Sequence, residues 1–221
     1  MMNDKPKAFL FDLNGTMIND MAFHNKAWHD ILTHDLGANI SFDAVKKQMY
    51  GKNQDLLERV FGVGHFTQEQ IDQISIEKER RYQAAYRAHL ALITGLGDFL
   101  EKARQSGIQM AIGSAAIPFN INFVLDNLNI RSYFKAIVSA EDVANSKPDP
   151  ETFTKGAEIL GVAANRCIVF EDAPKGVEAA QNAGMKCVVL TTMHTRAEFS
   201  AYHNIIAFIE DYTDPVLQEL F

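Results

Sequence analysis

Short apolar runs alternate with longer amphipathic stretches over the second half of the chain. Residues 110–113, 136–139, 167–170 and 187–190 are nearly all apolar, and the same pattern occurs near the start at 8–11. Runs of four such residues, bounded by polar or turn-forming residues, read as strands buried on both faces. Residues 207–209 read as a short last strand. Between the runs, 119–128, 150–160 and 174–183 carry apolar residues at helical spacing, with Pro150 in a tolerated first turn and Gly184 as a helix stop. Strands alternating with helices of this length predict parallel βαβ units.

Residues 20–90 break this pattern. No strand run occurs there, and 68–89 place Ile71, Ile74, Ile76 and Tyr82 among many charges, which predicts a long helix. Val60-Phe61-Gly62-Val63-Gly64 marks a turn between helices. The chain is therefore expected to leave an α/β core after its first strand, build an all-helical insertion, and return near Thr94-Gly95-Leu96-Gly97. Internal repeats, low-complexity tracts and coiled-coil heptads are absent from the sequence.

Composition narrows the function classes. The 221 residues are 47% hydrophobic and 22% charged, as in a globular protein. The net charge of -7 argues against broad nucleic-acid binding. No apolar run is long enough to span a bilayer. Residues 1–7 lack the apolar core of a signal peptide, so a cytoplasmic location is expected. Cys167 and Cys187 each open a β-branched run, which predicts buried thiols rather than a disulfide, and neither has metal-ligand spacing.

Polar groups with chemical potential sit at the ends of the predicted strands, where open α/β sheets bind ligands. Asp12 follows the first run and opens Asp12-Leu13-Asn14-Gly15-Thr16; it either caps a turn or serves as a nucleophile. Ser114 follows the second, where a hydroxyl and the adjacent backbone N–H groups bond phosphoryl oxygens. Lys147 lies in Ser146-Lys147-Pro148-Asp149-Pro150, where two prolines stiffen the loop around a cation. Glu171 and Asp172 stand side by side after a buried run. Either a hard cation such as Mg²⁺ relieves their repulsion, or they form an acidic helix N-terminus.

In that order, these four motifs resemble those of the haloacid dehalogenase superfamily over nearly the whole chain, and most closely its β-phosphoglucomutase-like members with a helical cap. The resemblance implies a doubly wound, Rossmann-like parallel sheet at 1–18 and 92–221, with an all-α cap at 19–91 hinged near 16–20 and 90–95. It implies that Asp12 is the nucleophile, forming an aspartyl-phosphate. Ser114, Ala115 and Lys147 would hold phosphate. Mg²⁺ would be bound by Asp12 and Asp172, by the backbone carbonyl of Asn14, and by Glu171 directly or through water. In the cap, His24, Trp28, Lys52 and Gln54 would meet substrate. The function expected is Mg²⁺-dependent phosphoryl transfer, by phosphatase or mutase, on a small phosphorylated metabolite, in a monomer without nucleic-acid or membrane partners.

Three departures matter. Asn14 replaces the family's acid–base aspartate, Gln54 stands near a phosphate-gripping arginine of the mutases, and Ala116-Ile117 replace a Ser-Lys pair. An amide transfers no proton, a role that typically contributes about 10²–10⁴-fold. An activated leaving group, His24 as replacement acid, or a slow phosphate-binding protein would each reconcile Asn14 with the rest. A metal-independent dehalogenase, whose halide leaves unprotonated, is the rival enzyme. The missing phosphate contacts argue against a mutase more than against a phosphatase.

Overall fold

The computed structural model describes residues 5–221; the first four residues of the N-terminal stretch read above for a leader lie outside it. The described chain forms two compact units. One comprises the residues through Asn19 together with Ala91–Phe221, and the other is Asp20–Leu90.

The first unit is built on six parallel strands: β1 Ala8–Phe11, β2 Gln109–Gly113, β3 Ala136–Val138, β4 Cys167–Glu171, β5 Lys186–Leu190 and β6 Ile205–Ile209. Their order is β3-β2-β1-β4-β5-β6. The chain thus winds outward one way from β1 and then the other way from β4, which puts the crevice where the order reverses beside the ends of these two strands. In register, Phe11 lies beside both Ile112 and Phe170. The residues that follow β1, β2 and β4 therefore emerge together at the carboxyl edge.

Side-chain alternation along β1 divides the core between two faces. Phe9 and Phe11 point to one face, where they meet Phe99 of α5 (Leu96–Gln105), Phe170 and Tyr212 in stacked and edge-on contacts. Ala8 and Leu10 point to the other, where they pack with Phe153 and Ala157 of α7 (Glu151–Leu160) and with Val177 and Ala180 of α8 (Pro174–Asn182). A Cβ on Gly156 would lie 3.0 Å from a Leu10 methyl, so this glycine lets α7 approach the sheet. Every predicted strand is present, the helix expected over 119–128 forms as α6 (Pro118–Asn127), and helices cover both sheet faces as a doubly wound core requires. Cys167 and Cys187 are free, buried thiols within it.

The second unit is helical: α1 Met21–Asp30, α2 Phe42–Lys46, α3 Asn53–Phe61 and α4 Gln68–Tyr86. Trp28, Ile31, Leu32, Val45, Leu56, Leu57 and Ile71 form its apolar centre. The helix expected over 68–89 ends at Tyr86, and a tight 3₁₀ turn, Arg87–His89, replaces its last turn. No helix among the described residues is long and apolar enough to cross a membrane.

Candidate active site

Asp12 stands one residue beyond β1, with its N–H donating to the Phe170 carbonyl at 3.0 Å. The backbone then turns sharply. Gly15 has φ +83, its N–H donates to the Ile18 carbonyl at 2.8 Å, and a Cβ there would fall 2.2 Å from Asp172 Oδ2. Only glycine fits both the left-handed conformation and the close approach. Three contacts from distant sequence hold the turn. Thr16 Oγ1 donates to Asp172 Oδ1 at 3.1 Å, Thr192 Oγ1 to the Gly15 carbonyl at 2.7 Å, and the Tyr212 hydroxyl to the Thr16 carbonyl at 3.0 Å.

Lys147 reaches the same edge from the loop between β3 and α7. Its ammonium donates to Asp12 Oδ1 at 2.6 Å and to Glu171 Oε1 at 2.8 Å, and it lies 4.7 Å from the centre of the Phe153 ring. All three charged groups are buried. Burial works against the ammonium, yet the Asp12 and Glu171 carboxylates outweigh it and hold Lys147 above the usual lysine range. Lys147 is therefore held as a cation against the Asp12 carboxylate. Ser114, one residue beyond β2, is also buried; its N–H donates to the Val138 carbonyl and its Oγ accepts from the Ala116 N–H at 3.1 Å, with Ala115 between them.

The acid pair after β4 divides its work. Glu171 Oε2 accepts the N–H groups of Asp172 and Ala173, both at 2.8 Å, while Oε1 holds Lys147. Lys147 and two amides thus already answer much of the repulsion that suggested a cation, and Glu171 is committed to them. Asp172 is different. Burial, then the charges of Glu171 and Asp12, raise its carboxyl well above the usual carboxylate range. Among the described residues, no group of three or more His, Cys, Asp or Glu side chains stands ready as a metal cage. The oxygens of Asp12 and Asp172 and the Asn14 carbonyl nevertheless suit Mg²⁺, which commonly takes one or two carboxylates and fills its shell with phosphate and water.

The residues expected to meet substrate from the insertion are placed as follows. Trp28 is 1% exposed, inside the apolar centre of the helical unit. His24 is buried, with Lys78 Nζ 2.7 Å from its Nδ1 and Asp20 Oδ2 3.2 Å from its Nε2, and it stacks on Tyr82 at 3.7 Å. Gln54 Nε2 donates to Glu58 Oε1 at 2.8 Å. Lys52 caps the start of α3, its N–H bonded to Asp55 Oδ2 at 2.8 Å. The structure thus gathers Asp12, Lys147, Glu171 and Asp172 in one hydrogen-bonded cluster within the sheet unit. It sets His24, Trp28, Lys52 and Gln54 within the helical unit.

Thr16, Thr192 and Tyr212 escaped the sequence reading as site residues. Thr16 was visible within its motif; Thr192 and Tyr212 lie 177 and 196 residues from their partners, and no local pattern marks them.

A family model described as haloacid dehalogenase-like hydrolase matches residues 9–190. A protein of Haemophilus influenzae is 32% identical over 184 residues, which cover 81% of this chain and 88% of that one. Fructose-1-phosphate phosphatase YqaB of Escherichia coli K12 is 29% identical over 85% of this chain and 97% of its own length. Among solved structures, β-phosphoglucomutase of Clostridium difficile aligns with a TM-score of 0.82 at 24% sequence identity, covering 97% of this chain and 96% of that one, a likeness of fold.

Proposed function

Because this chain belongs to the haloacid dehalogenase-like hydrolases, we propose that it is a Mg²⁺-dependent phosphatase acting on a small phosphorylated metabolite through an aspartyl-phosphate on Asp12. The observation that carries this reading is the buried Lys147 ammonium held between Asp12 and Glu171 at the carboxyl edge. A lysine there neutralises charge shared by the nucleophile and an arriving phosphoryl group. The phosphatase name of the Escherichia coli relative supports the same class.

In this reading, Asp12 attacks phosphorus, the bond to the leaving oxygen breaks, and the phosphoryl group rests on Asp12 as an acyl phosphate. Water then attacks phosphorus, releasing inorganic phosphate and the free carboxylate. The amide groups beside Ser114 and the Lys147 ammonium bind phosphoryl oxygens throughout. Asp12, Asp172 and the Asn14 carbonyl would hold Mg²⁺, which when bound offsets charge on the phosphoryl oxygens. The insertion is assigned the selection of substrate, as in the family.

Asn14 retains a carbonyl but carries no transferable proton. Protonation of the leaving oxygen is therefore either dispensable or supplied elsewhere. The test is phosphate release from acetyl phosphate, pyrophosphate and a panel of sugar phosphates, with Mg²⁺ and with EDTA. Turnover is expected with Mg²⁺ alone, and Asp12→Ala should reduce it to background. Retained activity in Asp12→Ala, or turnover of haloacids in EDTA in place of phosphate release, would overturn the assignment.

A further inference from the structure

If the substrate has a poor leaving group, the proton that Asn14 cannot give must come from another group. Two histidines belong to the sheet unit, His194 and His203. His203 precedes β6 and so lies at the amino edge, away from Asp12. His194 follows β5, whose Val189 pairs with Glu171, so its loop leaves the sheet at the same edge as Asp172. That loop is tied to the turn after Asp12, because Thr192, two residues before His194, donates to the Gly15 carbonyl at 2.7 Å.

The ring is also held at one nitrogen by a carboxylate and lies edge-on to Phe199. His194 Nδ1 lies 2.8 Å from Glu198 Oε1, and the other Glu198 oxygen accepts the Thr195 N–H at 2.8 Å and its hydroxyl at 3.0 Å. Glu198 is thereby fixed at both oxygens. A carboxylate that holds Nδ1–H sets the tautomer and directs Nε2 away from itself. His194 first, then the Thr195 amide, pull the Glu198 carboxyl down to about 2, so it remains an anion beside the ring. His24 is less suited, since Lys78 and Asp20 occupy both its nitrogens inside the helical unit.

We propose that His194, oriented by Glu198, is the general acid–base of this chain in place of the missing carboxylic acid at position 14. The inference rests on the phosphatase reading above. As Asp12 Oδ bonds to phosphorus and the P–O bond to the leaving group breaks, His194 Nε2 gives its proton to the departing oxygen and becomes neutral. In the second half, Nε2 takes a proton from water as that water attacks phosphorus. The bond from phosphorus to Asp12 breaks, the carboxylate returns, and His194 is again an imidazolium.

A structural role and an acid role separate by leaving group. Acyl phosphates depart without protonation, whereas sugar alkoxides need it. In His194→Gln, the ratio of sugar-phosphate to acetyl-phosphate turnover should fall about 10²-fold, within the usual range for acid–base catalysis. Glu198→Gln should shift the same ratio in the same direction by a smaller factor. Adding Asn14→Asp to His194→Gln should recover the ratio. An unchanged ratio in His194→Gln would sink the inference while leaving the phosphatase reading intact. Absence of phosphate release by the native chain from every compound would remove the phosphatase reading and the inference with it. The His194 side chain is 32% exposed, so the variant is expected to fold, and its circular dichroism and melting curve would show whether it does.

Discussion

At the residue scale, the site depends on positions where a single atom decides the geometry. Gly15 is the sharpest case. Its φ of +83 disfavours any side chain, and a Cβ would collide with the Asp172 carboxylate. Gly15→Ala should therefore displace Asp172 and the Asn14 carbonyl together. Phosphate release should fall to near background, and unfolding free energy should drop by about 1–3 kcal/mol, as expected when a residue is forced into a strained conformation. Denaturant titration and the phosphate assay check both halves. Gly176 plays a similar part on the other side, since a Cβ there would overlap Glu171 Oε1. Lys147 acts differently: one ammonium serves two carboxylates from different strands, so Asp12 and the support of α8 share a counter-charge.

At the element scale, helix ends carry much of the organisation. Glu171 Oε2 accepts two amides just before α8, where orphan N–H groups of a helix start need partners. In the insertion, α4 opens with a reciprocal cap. Gln70 N–H donates to Thr67 Oγ1 at 3.3 Å, and Thr67 N–H to Gln70 Oε1 at 2.9 Å. α4 has 19 residues and supplies Lys78, Glu79 and Tyr82 to the buried polar cluster of its unit. Thr67→Ala should cost about 1 kcal/mol, the usual loss for a cap residue. A urea titration should show that loss with no change in phosphate release, because Thr67 belongs to neither the Asp12–Lys147–Glu171 cluster nor the His194 pair.

At the scale of the whole molecule, each unit encloses its own buried charges. In the sheet unit these are Asp12, Lys147, Glu171 and Asp172; in the helical unit, Asp20, His24, Lys78 and Glu79. Burial works against the Glu79 charge, but Lys78, His24 and Asn53 outweigh it and hold the carboxyl below its ordinary 4.5. A depressed carboxylate adds stability above its ordinary value and loses it as pH falls through its folded value. At pH 7, Glu79→Gln should cost about 3–5 kcal/mol, because Lys78 is left buried without its counter-charge. That difference from the native chain should shrink as pH drops below 4.5. Denaturation midpoints of both proteins between pH 7 and pH 3 provide the comparison; a constant gap would show that the ion pair does not govern acid stability.

The local pattern alone was enough to place the strands, the alternation that makes the sheet parallel, and the insertion after β1. Buried four-residue runs and helical spacing are short-range signals, and short-range sterics and burial decide them. The motif order also brought Asp12, Ser114, Lys147 and the Glu171-Asp172 pair into view as strand-end groups. Other features were settled only by the folded chain. Lys147 bridges Asp12 and Glu171 because β1 and β4 are neighbours in space while 159 residues separate Ala8 from its partner Cys167. Thr192 and Tyr212 brace the turn after Asp12 across comparable separations, and α4 stops at Tyr86 where its helical pattern continues to His89. Packing made Trp28 a core filler of its unit, with the buried Lys78 ammonium 5.5 Å from the centre of its ring. A pairwise contact between distant residues has no periodicity to betray it; it exists only once the sheet order brings their strand ends together.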